Sequence, residues 1–537
     1  MAFLRKENKK GKTYLSICES YRDINGKTNR RVLHNLGNVE CLGEESLQRI
    51  AKQLLSLTHT EFQEVETEEL ERVNYGYVMV LSMLLQTYQL TYFFRRKSRQ
   101  HKLSYQLIHP VLLMLCDRIN DPISKLGSHR VQTEYFGLAS IELHHLYRSL
   151  DYLSLYNDAI QTQIYQHNRN LFNYELDVVF FDVTTFYFDS DVVKEGELRQ
   201  LGFGKDGKVG KTQIVFSLLI DKHKMPIGFE IFNGKQFEGH TFENALKALK
   251  EKYTIGKVIV VADSGMMSKK NIAYFEQEGM AQTYEYIVGD RLKVLPHKIK
   301  EKLTQKENYT TTIEVGPDGE ESPLKICVVE HENKKIIGTW SAKREAKDKN
   351  DRETRVAKAK QLLQTPDQLK KKAKNYYLKT TNKIDYELDQ SRILEDEKYD
   401  GYKAISTNTK EISMEMVLDQ YRHLYQIEHS FRTFKSFLEA RPMFHWTDER
   451  IKGHLVMCYM ALVMLRFMEQ KTGLTENEIR RSLSKMQMSK VKSGNNTFWL
   501  RAKQTPQMEK FIKDLNLKPL PNTISEVAIK NYIPAVL

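Results

Sequence analysis

Between residues 178 and 288 the order of apolar stretches leaves few ways for the chain to fold. Val178-Val-Phe-Phe-Asp-Val-Thr-Thr-Phe-Tyr-Phe188 is mostly β-branched and aromatic, the composition of a central strand. Two more strands follow at 213–220 and 227–232, joined by the polar turn Asp221-Lys-His-Lys224. Residues 241–252 read as a helix capped by Thr241, and Lys257-Val-Ile-Val-Val-Ala-Asp263 as a strand ending on a carboxylate. A second helix runs from Ser268 to near Gly279, and 284–288 is a further strand. Gly202, Gly204, Gly207 and Gly210 punctuate a loop; no strand-to-helix context follows that would make them a phosphate-binding motif. Strands and helices in this alternation stack as α/β layers.

Three strands, helix, strand, helix, strand is the order of an RNase H-like core. The predicted fold class is therefore α/β: an RNase H-like catalytic core interrupted by a mainly β insertion, preceded by a small β-hairpin unit and a helical domain. The core occupies 173–290 and 411–472. The insertion, 291–410, carries strands at 309–315, 325–329 and 335–340, turns at Pro317-Asp-Gly319 and Glu332-Asn333, a charged helix at 342–363 and a strand at 402–406. Residues 1–42 read as a basic hairpin, with strands at 13–21 and 30–34 about an Asn25-Gly26 turn. Residues 43–172 are helical, with apolar spacing at 78–90, 105–116 and 143–156. The basic loop Arg95-Arg-Lys-Ser-Arg-Gln-His-Lys102 between the first two suits DNA-end binding, without a helix-turn-helix signature. A buried helix is expected at 449–470, and 473–537 reads as basic and helical.

The second part of the core opens on a helix from 414 to about 438, capped by Ser413 and free of Pro and Gly until Pro442. Val417, Leu424, Ile427, Phe431, Phe434 and Leu438 form its core-facing seam. Beside the seam runs a second stripe of Tyr421, Tyr425, Glu428, Arg432 and Lys435, one carboxylate among two cations and two phenols. That arrangement suits a metal ligand flanked by phosphate-binding groups.

The chain of 537 residues has 82 Lys and Arg against 69 Asp and Glu, a net charge of +13, which favours a polyanionic partner. Cys18, Cys41, Cys116, Cys327 and Cys458 are scattered with no C-x-x-C pair, so no zinc knuckle or disulfide framework is implied and a reducing cytosol fits. No signal peptide is read at the basic N-terminus. The most apolar run, 455–465, ends at Arg466, short of the ~20 residues of a membrane span.

Asp182 within the first strand, Asp263 at the end of a later one and Glu428 on the helix are the candidate acids. Carboxylates from two strands and a helix can hold two Mg²⁺ ions about 4 Å apart, which activate a water or 3′-hydroxyl for in-line displacement at phosphorus. Asp182 lies between Phe181 and Val183, where burying an unpaired carboxylate is costly. His429, His445 and His454 lack metal-ligand spacing and read as packing or surface groups.

Phe181-Asp-Val-Thr-Thr185, Val261-Ala-Asp-Ser-Gly265 and Tyr421…Glu428…Lys435 together resemble bacterial insertion-sequence transposases of the DDE type, in the branch with a Y-x2-R-x3-E-x6-K signature. The basic start, the insertion before the Glu and Arg441-Pro-Met-Phe-His445 after it fit the same resemblance. It implies that Asp182, Asp263 and Glu428 are catalytic and bind two Mg²⁺ ions, with Mn²⁺ as a substitute. Tyr421 and Lys435 would contact the DNA backbone, and Trp340 of the insertion would stack on a flipped base. The signature's Arg falls on Leu424, leaving Arg422 or Arg432 to replace it. Partners implied are double-stranded DNA (terminal inverted repeats and target) and a second copy of the chain on that DNA, with no membrane, in the bacterial cytoplasm at the nucleoid. The alternatives are a structure-selective nuclease on the same fold and a catalytically inactive DNA-binding derivative.

Overall fold

The computed structural model describes residues 2–9, 11–23, 26–56, 67–172, 178–189, 196–202, 211–236, 241–253, 258–266, 269–276, 284–315, 321–364, 376–380, 386–535 and 537. Asn25, Asp177, Gly204, Gly207, Gly210, Lys257, Ser268, Gly279 and the Pro317-Asp-Gly319 turn lie outside the described residues. The chain divides into two units, residues 1–68 with 492–496, and 69–491 with 497–537.

In the first unit the expected hairpin is a three-stranded antiparallel sheet of β1 (Ala2–Lys9), β2 (Lys12–Arg22) and β3 (Thr28–Asn38). β1 escapes a reading by composition because it interleaves Phe3 and Leu4 with Arg5, Lys6 and Lys9. Gly11, at φ 77°, turns the chain between β1 and β2 in a conformation that only glycine adopts without strain. Lys6, Lys12, Arg22, Lys27, Arg30 and Arg31 are exposed on this unit.

β4 (Thr67–Asn74) leads into the second unit, whose centre is one ten-stranded sheet. Its strands are β5 (Val178–Tyr187), the two-residue β6 (Gln200–Leu201), β7 (Thr212–Asp221), β8 (Pro226–Asn233), β9 (Val258–Ala262) and β10 (Tyr284–Asp290), followed by β11 (Thr310–Val315), β12 (Glu321–His331) and β13 (Lys334–Trp340). The small pair β14 (Leu378–Thr380) and β15 (Tyr386–Leu388) stands apart, and β16 (Tyr402–Thr407) completes the large sheet. Across the middle the order is β8-β7-β5-β9-β10, with β7 antiparallel to both β5 and β8 and β9 parallel to both β5 and β10. This is the order and direction of an RNase H-like core. The inserted strands continue the same sheet, since β16 pairs with β10 and β13 with β16. No local pattern in 291–410 announces which strand it will pair with.

The central strands are buried on both faces, which explains their continuous apolar composition. One face packs on the helices Thr241–Lys252 and Lys269–Glu276 through Phe242, Leu246 and Phe275. The other face shares the main core with the upstream helices Gly76–Thr87, Ile108–Asn120 and Leu143–Leu155 and with the long helix Asp448–Thr472. That long helix has the length and composition to cross a membrane, well beyond the 455–465 run, but 94% of its apolar window is buried inside the protein. A helix apolar on all sides is a core helix when protein surrounds it.

Three further expectations are corrected. The basic run at 95–102 is largely helical, within Leu90–Gln100, where the apolar side of Phe93 and Phe94 holds it to the core. The last segment carries strands as well as helices: β17 (Gln487–Ser493), β18 (Asn496–Arg501) and β19 (Thr523–Ser525) join β4 in a second sheet. The turn residues Gly494-Asn495 between β17 and β18 were the signal for that hairpin. The helix expected over 414–438 is three pieces, Met414–Arg422, Tyr425–Arg432 and a π-turn at Thr433–Phe437. Bonds from Leu424 N to Tyr421 O (3.2 Å) and Gln426 N to His423 O (2.9 Å) tighten the chain at the first break. Leucine is no helix breaker; the half-buried Leu424 packs against the main core at this point, and tertiary packing overrides local propensity.

Candidate active site

Strand register places the two aspartates. In the parallel pairs Phe181 lies opposite Ala262, and Ala262 opposite Val288. The next position on each strand therefore brings Asp182, Asp263 and Gly289 side by side. The row continues to Leu218 opposite Asp182, Ile405 opposite Gly289 and Ile337 opposite Ile405. Leu218, Ile405 and Ile337 are buried in the main core, and residues in one row share a face of the sheet. Two carboxylates and a glycine thus interrupt an apolar row at its middle. Adjacent strands run about 4.8 Å apart, so a small cation can touch both acids. Asp182 is half-buried, with one oxygen accepting from Val183 N at 2.7 Å, while Asp263 is exposed at the strand end.

The helix pieces pass over this same face. Met414–Arg422 packs on β9 and β10, and Tyr425–Arg432 on β5 and β7. Ile427, Phe431 and Phe434 are buried, and the Phe434 ring lies 5.7 Å from Phe186 and 5.1 Å from Phe216. Glu428, next to Ile427, is exposed. The Tyr421 hydroxyl sits over Gly289, beside the backbone N of Ser264. Burial, then Asp263 and Glu428, push its phenol up to about 12, with Arg344 opposing them. Tyr421 therefore stays protonated between two of the three acids and is available as a hydrogen-bond donor. A methyl at Gly289 would overlap its hydroxyl. Gly289→Ala is expected to lose about 1–3 kcal/mol of stability, and the loss should shrink in Gly289→Ala/Tyr421→Phe. Urea midpoints of the two variants check this.

Among the described residues Asp263 and Glu428 have no hydrogen-bond or ion-pair partner. Nor do any three Asp, Glu, His or Cys side chains among them already surround one ion-sized point. The donor set nonetheless fits a hard divalent cation, because Mg²⁺ is held by one or two carboxylates and keeps waters or phosphate oxygens for the rest.

The remaining stripe is divided. Arg432 is exposed with no partner among the described residues, Arg422 and Lys435 are half-buried, and Lys435 sits on the π-turn closed by Leu438 N to Thr433 O at 2.9 Å. Such turns recur at functional sites. Trp340 ends β13, with Lys306 4.4 Å and Lys325 5.2 Å from its ring and its indole N–H unpartnered.

Sequence reasoning missed three residues that shape this region. Gly289 carries no pattern that marks it. Arg344, in the first turn of Ala342–Leu363, reaches Tyr421 electrostatically from the insertion. Arg466 was read as the end of an apolar run, but it is 1% exposed within the core helix. Its guanidinium donates to Glu469 (2.5 Å), to Thr433 Oγ1 (2.9 Å) and to His429 Nδ1 (3.2 Å), tying the Glu428 segment down. Burial and Arg466 hold the His429 imidazole below its usual range, in keeping with a neutral acceptor.

Residues 4–65 match the N-terminal domain of IS1634-family transposases, and residues 174–464, more than half of the chain, match the transposase DDE domain. No curated protein matches. Among solved structures, the piggyBac transposase synaptic complex with hairpin DNA aligns at 9% identity over 86% of this chain and 82% of its own, with a TM-score of 0.37. The Mos1 transposase paired-end complex with left transposon end aligns at 14% identity over 50% and 73%, with a TM-score of 0.15. On the span of the family match, the chain belongs to the DDE-domain transposases and is a metal-dependent DNA transposase.

Proposed function

We propose that this transposase moves an insertion sequence by cut-and-paste: it binds terminal inverted repeats, cleaves the element ends and joins their 3′-hydroxyls to target DNA. The observation that carries the reading is the pair Asp182 and Asp263, side by side on the sheet face that the Glu428 helix crosses. Asp182, Asp263 and Glu428 would hold two Mg²⁺ ions, or Mn²⁺ in their place. Bound there, such ions supply the acidity that activates a water or 3′-hydroxyl and the charge that stabilises the leaving oxygen. Tyr421 donates a hydrogen bond toward the scissile strand. Arg432, with Arg422 and Lys435, tracks the phosphates, and Arg432 takes the place of the signature's arginine because its side chain is exposed while Leu424 offers no donor. Trp340, flanked by two lysines, is the base-stacking residue. The first unit's basic sheet and the upstream helices bind the element end, and two copies act together because two ends are cut in concert.

The test is incubation with Mg²⁺, an end-bearing donor and a target plasmid. Joined products are expected; hydrolysis without joining means a structure-selective nuclease, and no reaction means a DNA-binding derivative. Lys435→Ala should weaken end binding and lower the slope of log K against log salt by about 0.9, one phosphate contact's worth of counterion release. An unchanged slope in a salt titration removes Lys435 from the DNA track.

A further inference from the structure

Away from the carboxylates, a cavity of about 200 Å³ opens between the helices Ile108–Asn120, Lys125–Val131 and Asp448–Thr472 and the 439–445 segment. Its wall is cationic: Arg118, Lys125 and Arg441 line it with His445 and His454, against the single acid Glu439. Lys125 is only 4% exposed, yet its ammonium has no hydrogen-bond or ion-pair partner among the described residues. Arg118 is 5% exposed; it donates to the carbonyls of Leu438 (3.0 Å) and Glu439 (3.3 Å), and its Nε has no partner. His454 is buried with Nδ1 unpartnered, its ring 5.1 Å from that of His445. Burial and the neighbouring Arg118 push the Lys125 ammonium down to about 7, and burial with Lys125 and Arg118 pushes His445 down to about 3. Asp117, beside Arg118 in sequence, is not part of the wall; burial raises its carboxyl pKa, against the opposing pull of Ser128, Tyr135, Lys125 and Arg118. Buried cations are normally paired, because an unpaired one is costly. Here the Lys125 ammonium and the Arg118 Nε are the groups left without a hydrogen-bond or ion-pair partner among the described residues.

We infer that this cavity is an oxyanion site that takes a phosphate group. The volume admits a tetrahedral oxyanion with a few waters but excludes a duplex. Two sources share the chemistry, the terminal phosphate of a DNA strand and free phosphate, and placement favours DNA. Met443 N donates to Tyr187 O at 3.2 Å, and the Arg441 guanidinium lies 5.6 Å from the Tyr187 ring, so the cavity wall is fastened to the end of β5. Tyr187 is about 17 Å along that strand from Asp182 at ~3.3 Å per residue, or roughly five base-pair steps of duplex. A DNA strand engaged at Asp182 can therefore bring a terminal phosphate to the cavity. Only this choice of source rests on the cut-and-paste reading; the phosphate site itself does not.

The test uses the full chain without divalent metal, titrated with inorganic phosphate against chloride at matched ionic strength. Calorimetry and thermal unfolding should show phosphate-specific binding that Lys125→Met, close in volume and without the charge, weakens at least tenfold. Asp182→Asn should bind phosphate as the wild type does, which separates failure of this site from failure of the transposition reading. A short oligonucleotide with a 5′-phosphate should compete for the site at least tenfold better than its 5′-hydroxyl twin. No phosphate-specific effect in the wild type, or equal binding by a folded Lys125→Met, overturns the site. Phosphate binding without competition by the 5′-phosphorylated strand overturns the DNA source and assigns free phosphate.

Discussion

Asp182→Asn is expected to abolish end cleavage and strand joining, by at least a thousandfold, while binding of an element-end duplex stays within a few-fold of wild type. The change preserves shape and removes the charge that a hard cation needs. Asp182 sits at the centre of the sheet, its neighbours Phe181 and Val183 are buried on the opposite face, and an amide at this position keeps an oxygen that can accept from Val183 N. Neutralising it should therefore leave the fold intact. Gel-shift and cleavage assays on the same preparation check both halves. Retained cleavage would remove Asp182 from the reaction, and lost binding would make it a structural residue.

Arg466→Ala should destabilise the protein by about 3–5 kcal/mol, the usual loss when one partner of a buried ionic network is removed. Thr433 and His429 would lose their donor, Glu469 would lose its counter-charge, and a void would open beside the core helix. Thr433 also donates to Glu476 at 2.8 Å, so part of the anchoring should survive. Arg466→Lys should recover only a fraction, because one ammonium cannot reproduce the planar fork that reaches all three groups. Denaturant midpoints measure both variants. A loss below about 1 kcal/mol for Arg466→Ala would mean that apolar packing of Phe431 and Phe434 alone holds the Glu428 segment.

These two residues mark the limits of what the chain discloses in one dimension. Asp182 was legible because a charge inside a β-branched, aromatic run demands an explanation. Asp263 at a strand end and Glu428 beside an apolar seam stood out less, and became candidates through their placement on the core's later strand and helix. Arg466 was not legible, since a charge near the end of an apolar stretch ordinarily marks the surface. The strands of the core were readable from composition because both faces are buried. That β13 and β16 extend the core sheet was not, because pairing between distant strands leaves no local trace. The break at His423-Leu424 and the π-turn at Thr433–Phe437 were equally hidden, since the apolar spacing continues through both and no proline or glycine interrupts it. Gly289 gained meaning only once the Tyr421 hydroxyl was seen above it.

The central claim is that Asp182, Asp263 and Glu428 together hold the metal ions of the reaction. Counting Mn²⁺ by electron paramagnetic resonance, in the protein bound to an element-end duplex, tests it most directly. Two ions per protomer are predicted for the wild type, and at most one for each of Asp182→Asn, Asp263→Asn and Glu428→Gln. Two ions bound with unchanged affinity in all three variants would contradict the account.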